Sequence, residues 1–530
     1  MMSSSNGRVH DRTTVVMGAG PGGLATGYWL AKHGASVTVV ERASVVGGLA
    51  RTVERDGFKF DLGGHRWFSK VDEVNDFYKE VIADETVWVH RTSRIYFDGK
   101  YIDYPLRISN ALAAIGPVAA AKAMLDYGQT RIAQRLDPKP IVSMEDAYVD
   151  QYGRTLYEFF FERYSEKVWG LPCGEMSGDW VSQRTKGMSL VTAVKDAIIP
   201  SNGAVQSLID SFMYPRYGYG RLSERMAEGI AASGNEVRLN AGVSKVLREG
   251  STIKAVVVTD DQGNEDTIEA AQFVSSIPLT VLCQIMEPPA PAEVIAAAKT
   301  LFFRNVITVN LMLDREKVTD DTWLYVHDRD ILFGRLHEPK NWSVDMVPDQ
   351  SKTSLVVEYF CSFGDHIWNM SEDELVDLTV KYLAEDLNFI DRSEVLGGFI
   401  VRCPRAYPSY TLGYEAPLAL LKEFVDSFDN LQIIGRYGTF RYNNADHSVE
   451  TGLLAAKNIL GESHDLDQVN AEQEYHEIKR VKATDAEQVN GNGTSTGAVI
   501  GNSNGNGKAA TNGHVAHDHA ANTPVATAQG

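Results

Sequence analysis

After a polar start, the chain turns apolar over Thr13–Gly20 (TTVVMGAG), a short continuous run of the kind that forms a buried parallel strand. A helix is expected from Pro21 to His33, with Leu24, Tyr28 and Leu30 on roughly one face and Gly34 ending it. Ser36–Glu41 (SVTVVE) reads as the second strand. From Ile108 to about Asp210 the pattern is mainly helical, as in ALAAIGPVAAAKAMLDYG and TLYEFFFERYSEKVWG. Strand periodicity dominates Asn235–Pro278, which reads as several short strands separated by turn residues. A mixed stretch covers Arg304–Phe363. Asn430–Leu460 reads as strand, loop and helix, a second βα junction far along the chain from the first.

The end of the chain has a different character. After Tyr475 there is no Phe, Tyr or Trp, and Gly, Asn, Ala and Thr dominate. Such a segment cannot bury enough apolar surface to offset its ordering entropy, so a disordered tail is expected. His514, His517 and His519 within it are read as incidental rather than as a metal tract.

Composition narrows the class. With 530 residues, 44% hydrophobic and 23% charged, the chain can bury a sizeable core in two or three lobes. A formal net charge of -19 argues against a general nucleic-acid binder, which needs clustered Lys and Arg. It leaves room for an anionic small substrate, because a few local arginines override the global sign. Cys173, Cys283, Cys361 and Cys403 are scattered with no CxxC pair, which implies neither a zinc site nor a disulfide framework and suits a cytoplasmic setting. The polar first residues do not read as a secretory signal, and no apolar run approaches the ~18–20 residues of a membrane span.

The first βα junction carries candidate chemistry. Gly18-Ala19-Gly20-Pro21-Gly22-Gly23 fits GxGxxG, and it follows a predicted strand and opens a predicted helix. Gly18 permits the tight turn, Gly20 lets the backbone approach a pyrophosphate, and Gly23 lets helix and strand pack closely. The helix N-terminus offers N–H groups and partial positive charge to the phosphates. Glu41 lies close to the ~20-residue offset expected of a carboxylate that holds a ribose diol, and its charge disfavours a 2′-phosphate.

A second glycine-rich loop, Val46-Gly47-Gly48-Leu49-Ala50-Arg51-Thr52, follows directly, and FKFDLGGHRWF adds Gly63 and Gly64. This succession resembles the flavoprotein family of amine oxidases, protoporphyrinogen oxidases, phytoene desaturases and UDP-galactopyranose mutases. Gly435-Arg436-Tyr437-Gly438 resembles that family's C-terminal flavin motif. The resemblance spans nearly the whole chain to about Leu460. It implies FAD as cofactor, with Arg51 along the pyrophosphate. The cofactor-binding set it implies also includes Pro21, Gly22, Arg42, Gly48, Leu49, His65, Asp446, His447 and Ser448.

Within the family, several segments resemble UDP-galactopyranose mutase, particularly its eukaryotic branch. Asp61-Leu62-Gly63-Gly64-His65 looks like the loop whose histidine lies against the flavin. Lys167-Val168-Trp169 and Trp180-Val181-Ser182-Gln183-Arg184 look like a segment whose arginine touches substrate. Trp323-Leu324-Tyr325, with Phe333-Gly334-Arg335 and Asn341-Trp342-Ser343, looks like the nucleotide-sugar strand pair. Tyr407-Pro408, Arg436, Arg441-Tyr442 and Asp446-His447-Ser448 complete the match. The resemblance implies isomerisation of a nucleotide-diphosphate sugar through reduced flavin, with no net redox change and an external reductant such as NAD(P)H. Arg184, Arg335 and Arg436 would clamp the diphosphate, Tyr325, Tyr407 and Tyr442 would donate hydroxyl hydrogen bonds, and His65 would tune the flavin. Trp169 and Trp180 are read as packing residues.

Two departures bear on the substrate. Tyr104-Pro105 is followed by Leu106-Arg107 where the mutases carry Phe-Gln, and Val326-His327 replaces Phe-Pro. Two other readings therefore stay open. One is a true FAD oxidoreductase acting on an apolar or neutral substrate, for which Leu301–Asp314 is apolar enough to line a pocket. The other is a non-catalytic flavin-binding protein. No GxSxG elbow and no HExxH site is present, and no metal is expected. Glu358 and Asp365 have no spacing that makes them an acid–base pair, and both are read as surface carboxylates.

The expected fold is α/β, a Rossmann-type, glutathione-reductase-like FAD domain with an inserted substrate domain of helices and mixed sheet. Residues 12–100, 190–300 and 395–462 are assigned to the cofactor domain, 101–189 and 301–394 to the substrate domain. Residues 1–11 and 466–530 are assigned to disordered termini.

Overall fold

The computed structural model describes residues 13–104, 108–181 and 211–470. Its first layer is the expected parallel sheet of Rossmann type. Thr14–Met17 is a fully buried strand, and Gly18 at φ 101° makes the turn into the helix Pro21–Lys32. Val37–Val40 pairs with Thr14–Met17 in parallel. Both strands are shorter than their apolar runs, because the flanking residues bend into the loops that carry the site. Three distant segments complete a five-stranded parallel sheet in the order Leu431–Ile433, Gln272–Ser275, Thr14–Met17, Val37–Val40, Glu236–Arg238.

Two helices lie across this sheet in backbone contact. A Cβ on Gly22 would sit 2.7 Å from the Ser448 carbonyl oxygen, and one on Gly452 would meet the Gly22 carbonyl. Thr26 Oγ1 donates to Gly452 O at 3.0 Å. The helix Ala445–Leu460 thereby lies on Pro21–Lys32, and the two βα junctions, more than 400 residues apart, become neighbours.

The β-rich stretch after Asn235 folds as read. It supplies strands to the parallel sheet and to a four-stranded sheet of Glu265–Glu269, Thr252–Thr259, Gly242–Glu249 and Met286–Glu287. The third large element is a seven-stranded sheet. Its order is Val395–Ser409, Phe302–Leu313, Thr353–Cys361, Arg335–His337, Trp323–Val326, Ser93–Phe97, Lys100–Asp103. The apolar run after Leu301 is thus an inner strand, paired on both sides and buried along most of its length. Sheet membership departs from the sequence-based limits at two edges: Ser93–Lys100 and Val395–Ser409 hydrogen-bond into this sheet, not into the parallel one. Helices pack beside it, including Ile108–Leu136, which bends at Gly116.

One end differs from expectation. Leu466–Gln468 forms a 3-10 turn; Lys422 pairs with Asp467, and Arg441 donates to the Asp467 and Val469 carbonyls. Residues 466–470 therefore do not belong to the expected disordered tail. Residues 1–12 and 471–530 lie outside the described residues.

Candidate active site

The glycines of the first junction divide by what surrounds them. A Cβ on Gly23 would collide with the Gly18 carbonyl oxygen, so this glycine is needed for helix–strand packing. A Cβ on Gly20 would meet nothing within 4 Å, although its φ of -76° accepts any residue. The open space beside Gly20 is what a pyrophosphate approaching the backbone requires, and the helix there carries no side-chain cap. Glu41 is fixed at the end of its strand: Oε2 accepts Ala19 N–H and Oε1 accepts Ala43 N–H, both at 2.9 Å. The second glycine loop lies over the first, with a Cβ on Gly48 falling 3.6 Å from Gly20 Cα. Arg51 Nη1 donates to the Gly48 carbonyl at 3.0 Å and braces that loop. Arg42 is exposed, its stem against Gly242. These residues fit a dinucleotide: an open backbone cradle, an uncapped helix N-terminus and an anchored carboxylate at the end of the second strand.

The DLGGH loop carries the cradle toward the large sheet. Asp61 is buried and accepts from Thr52 Oγ1 at 2.6 Å, Tyr214 Oη at 2.5 Å and Tyr219 N–H at 3.0 Å. Burial pushes its carboxyl up to about 6 in spite of these donors. Gly63, at φ 142°, turns the chain past the Glu358 carboxylate. His65 Nδ1 lies 3.0 Å from the Gly63 carbonyl. A carbonyl only accepts, so Nδ1 carries the proton and Nε2 is left as an acceptor. Burial, then the positive charge of Arg436, pushes His65 down to about 3. It is a neutral imidazole at any working pH.

The large sheet delivers the rest. Arg335 and Tyr325 are register partners on adjacent strands, and Arg335 is also paired with Glu358 on its other side. Arg335 Nε donates to Glu358 Oε1 at 2.8 Å, and Nη2 donates to Glu358 Oε2 and, at 3.0 Å, to Tyr407 Oη. Glu358 is 1% exposed, which corrects the expectation of a surface carboxylate. Asp365 is also committed, capping the short helix His366–Asn369 through Trp368 N–H at 2.7 Å.

Tyr407 stacks on Tyr442 with ring centroids 5.2 Å apart and planes 10° apart. The Arg436 guanidinium lies over both rings, at 5.2 and 4.9 Å from their centroids. Arg436 Nε and Nη1 are committed to the carbonyls of Asn443 and Ala406, at 2.7 and 3.1 Å. Trp180 meets Tyr442 edge-on at 4.5 Å, so this packing residue also borders the cluster. Asp446 and Ser448 are buried at the start of the helix Ala445–Leu460, and His447 Nδ1 accepts Asn444 N–H at 3.2 Å.

Three further residues belong here that sequence reasoning passed over or gave no role. Tyr164 stacks on buried His327 at 4.6 Å and meets Tyr325 edge-on at 5.7 Å. Lys167 buries its ammonium against the turn between Tyr325 and Arg335, donating to the carbonyls of Val326, Asp328 and Phe333 at 2.9, 2.7 and 3.2 Å. Burial lowers its pKa to about 7. Tyr104 packs on Tyr325 at 4.8 Å. Arg184 and Arg107 lie outside the described residues. Among the described residues no group of His, Cys, Asp and Glu could hold a metal ion.

A family model described as flavin containing amine oxidoreductase matches residues 21–460. The chain belongs to this family. It is accordingly a flavoenzyme, and its cofactor is FAD. The chain is 24% identical to 15-cis-phytoene desaturase of Capsicum annuum over 481 residues, covering 84% of this chain and 77% of the relative. It is 20% identical to coproporphyrinogen III oxidase of Staphylococcus aureus over 485 residues, covering 85% of this chain and 99% of the relative. Among solved structures, reduced UDP-galactopyranose mutase superposes with a TM-score of 0.73 at 21% identity, covering 87% of this chain and 98% of that one. A putative protoporphyrinogen oxidase from Exiguobacterium gives 0.63 at 18%, covering 85% and 99%. At these identities the structural likeness establishes the fold of an FAD amine oxidoreductase and not a substrate.

Proposed function

We propose that this FAD enzyme isomerises a nucleotide-diphosphate sugar in the manner of a UDP-galactopyranose mutase. One observation carries the reading: Tyr325, Arg335, Tyr407, Arg436 and Tyr442, scattered over some 118 residues, form one contiguous cluster with two guanidinium groups and stacked phenols. Arg335 Nη1 and Arg436 Nη2 take no part in the hydrogen bonds just described and remain for phosphoryl oxygens. Arg184 is proposed as the third arginine of this clamp. The tyrosine hydroxyls would orient the sugar without adding charge, and the neutral His65 would contact the flavin through an accepting Nε2. Bound and reduced, FAD supplies the nucleophile for such a reaction. NAD(P)H is the reductant proposed.

The same reading divides the chain by sheet. The parallel sheet and its two glycine junctions would form the cofactor domain, and the seven-stranded sheet with its helices the substrate domain. Gly18 to Gly23, Glu41, Arg42, Gly48, Leu49, Arg51 and the Gly63–His65 loop would hold FAD with Gly435, Arg436 and Asp446–Ser448.

A second reading is favoured by one specific observation. Glu358 cancels the charge of Arg335, which leaves the cluster less cationic than a diphosphate clamp of free arginines. That suits an oxidoreductase whose substrate brings no diphosphate to this cluster, and the desaturase and porphyrinogen oxidase relatives carry the names of such enzymes. Titration of the dithionite-reduced holoenzyme with UDP, UDP-galactose and UDP-glucose separates the two. Nucleotide binding followed by sugar isomerisation on chromatography supports the mutase reading. Absence of nucleotide binding in either redox state transfers the proposal to the oxidoreductase. In the first case Arg335→Ala weakens nucleotide-sugar binding and leaves FAD content intact.

A further inference from the structure

His337 takes no part in the cluster described above, yet it lies beside it. It ends the strand Arg335–His337, two residues beyond Arg335, so both side chains leave the same face of the sheet about 7 Å apart along the strand. Its ring meets Trp342 with centroids 5.7 Å apart. Trp342 packs in turn on the DLGGH loop, where a Cβ on Gly64 would fall 3.5 Å from the indole. Arg335 and His65 both lie within electrostatic reach of the imidazole. His337 thus has the arginine of the clamp on one side and the Gly63–His65 loop on another.

The residue is 3% exposed, and its Nδ1, enclosed by protein, has no hydrogen-bond partner among the described residues. A buried polar nitrogen without a partner costs stability, so its retention needs a reason. The missing partner is not an anion. Burial, then Arg335 and His65, pushes His337 down to about 3, so the ring is uncharged at any working pH. A neutral imidazole has one N–H donor and one bare acceptor. A hydroxyl, which also donates and accepts, matches it, whereas phosphoryl oxygens are served by the arginines. An apolar substrate would leave the nitrogen unpaired. His327 has the same enclosed Nδ1, but it lies on the far side of the Tyr325–Arg335 pair, stacked on Tyr164 and facing Lys167.

We infer that His337 hydrogen-bonds a hydroxyl of the sugar held by the Arg335 clamp and determines specificity for that sugar. The inference rests on the mutase reading above, in which the sugar lies between the diphosphate and the flavin. In that frame the two neutral histidines, His65 and His337, supply uncharged polar contacts to an uncharged polyhydroxyl group. The arginines are left to the diphosphate. The diphosphate then sets how tightly any nucleotide binds, and His337 adds only to ligands that carry the sugar.

The test compares UDP with UDP-galactose on the dithionite-reduced holoenzyme, by isothermal titration of wild type and His337→Phe. The readout is the ratio of the two affinities, because a loosened strand or a loss of FAD moves both ligands together. His337→Phe should weaken UDP-galactose about three- to tenfold and leave UDP unchanged. His337→Gln, which keeps a donor and an acceptor, should recover most of the loss. If His337→Phe does not retain FAD, the smaller His337→Leu carries the same comparison. An equal ratio in wild type and the apolar variant overturns the inference and leaves the mutase reading standing. Failure of UDP to bind the wild type overturns both.

Discussion

Glu358 accepts both Nε–H and Nη2–H of Arg335, and the same Nη2 reaches Tyr407. A nearly fully buried carboxylate thereby sets the orientation of the guanidinium and removes most of its net charge. Glu358→Gln keeps the volume and one acceptor and restores a net positive charge to the site. Loss of a charge-assisted bidentate pair should cost about 1–3 kcal/mol of stability by denaturant unfolding. In the same protein UDP should bind more tightly than to wild type. An unchanged or weaker UDP affinity would mean that Arg335 does not face an anionic ligand.

Gly20 and Gly23 should respond oppositely to one methyl group. Gly20→Ala places its Cβ in open space at a permitted φ, so the thermal midpoint should stay within about 2 °C of the apoprotein's. Its FAD affinity should fall at least about tenfold, because the methyl occupies the pyrophosphate approach. Gly23→Ala forces a side chain onto the Gly18 carbonyl and should yield little folded protein. Full flavin content in Gly20→Ala, read by absorbance, would remove the cofactor from this loop.

Asp61 should impose a pH dependence on stability. Its folded pKa, about 6, is above its ordinary value of 3.8, so the native state holds the proton more tightly than the unfolded chain. Its contribution is fully present below about pH 4 and is lost as pH rises through about 6. The stability difference between wild type and Asp61→Asn should therefore shift against the wild type by about 2–3 kcal/mol between pH 4 and 7. Urea unfolding at several pH values measures it, and a pH-independent difference would refute the buried-carboxylate account.

Lys167 should act on the ligand through the turn it holds. Lys167→Met retains the apolar stem and strips three carbonyls of their donor, at a cost of about 2–3 kcal/mol. The strands carrying Tyr325 and Arg335 lose their brace, so UDP-sugar affinity should fall about tenfold while FAD content is unchanged. Equal affinity in the two proteins would reduce Lys167 to a purely structural part.

The two glycine-bearing βα junctions of this enzyme were legible in the sequence. The turn at Gly18, the close packing at Gly23 and the carboxylate of Glu41 at the end of the next strand are local backbone features, which leave their mark within one βα unit. The buried role of Glu358 was not. Thr353–Cys361 is buried along its whole length, so no alternation singles out the glutamate. Its pairing with Arg335 depends on strand register across 23 residues. Lys167 is similar: its acceptors are carbonyls of a turn some 160 residues away, and main-chain acceptors have no residue signature. The ordered Leu466–Gln468 turn was missed because its anchors, Lys422 and Arg441, come from elsewhere in the chain.

By itself, the sequence determined the Rossmann junctions and the flavin family, since these reside in short motifs with their own backbone requirements. The tertiary structure alone decided how much net positive charge the cluster around Arg335 carries. Register within the seven-stranded sheet sets Glu358 against Arg335, and in a buried site the net charge is set by which groups are brought within hydrogen-bonding reach.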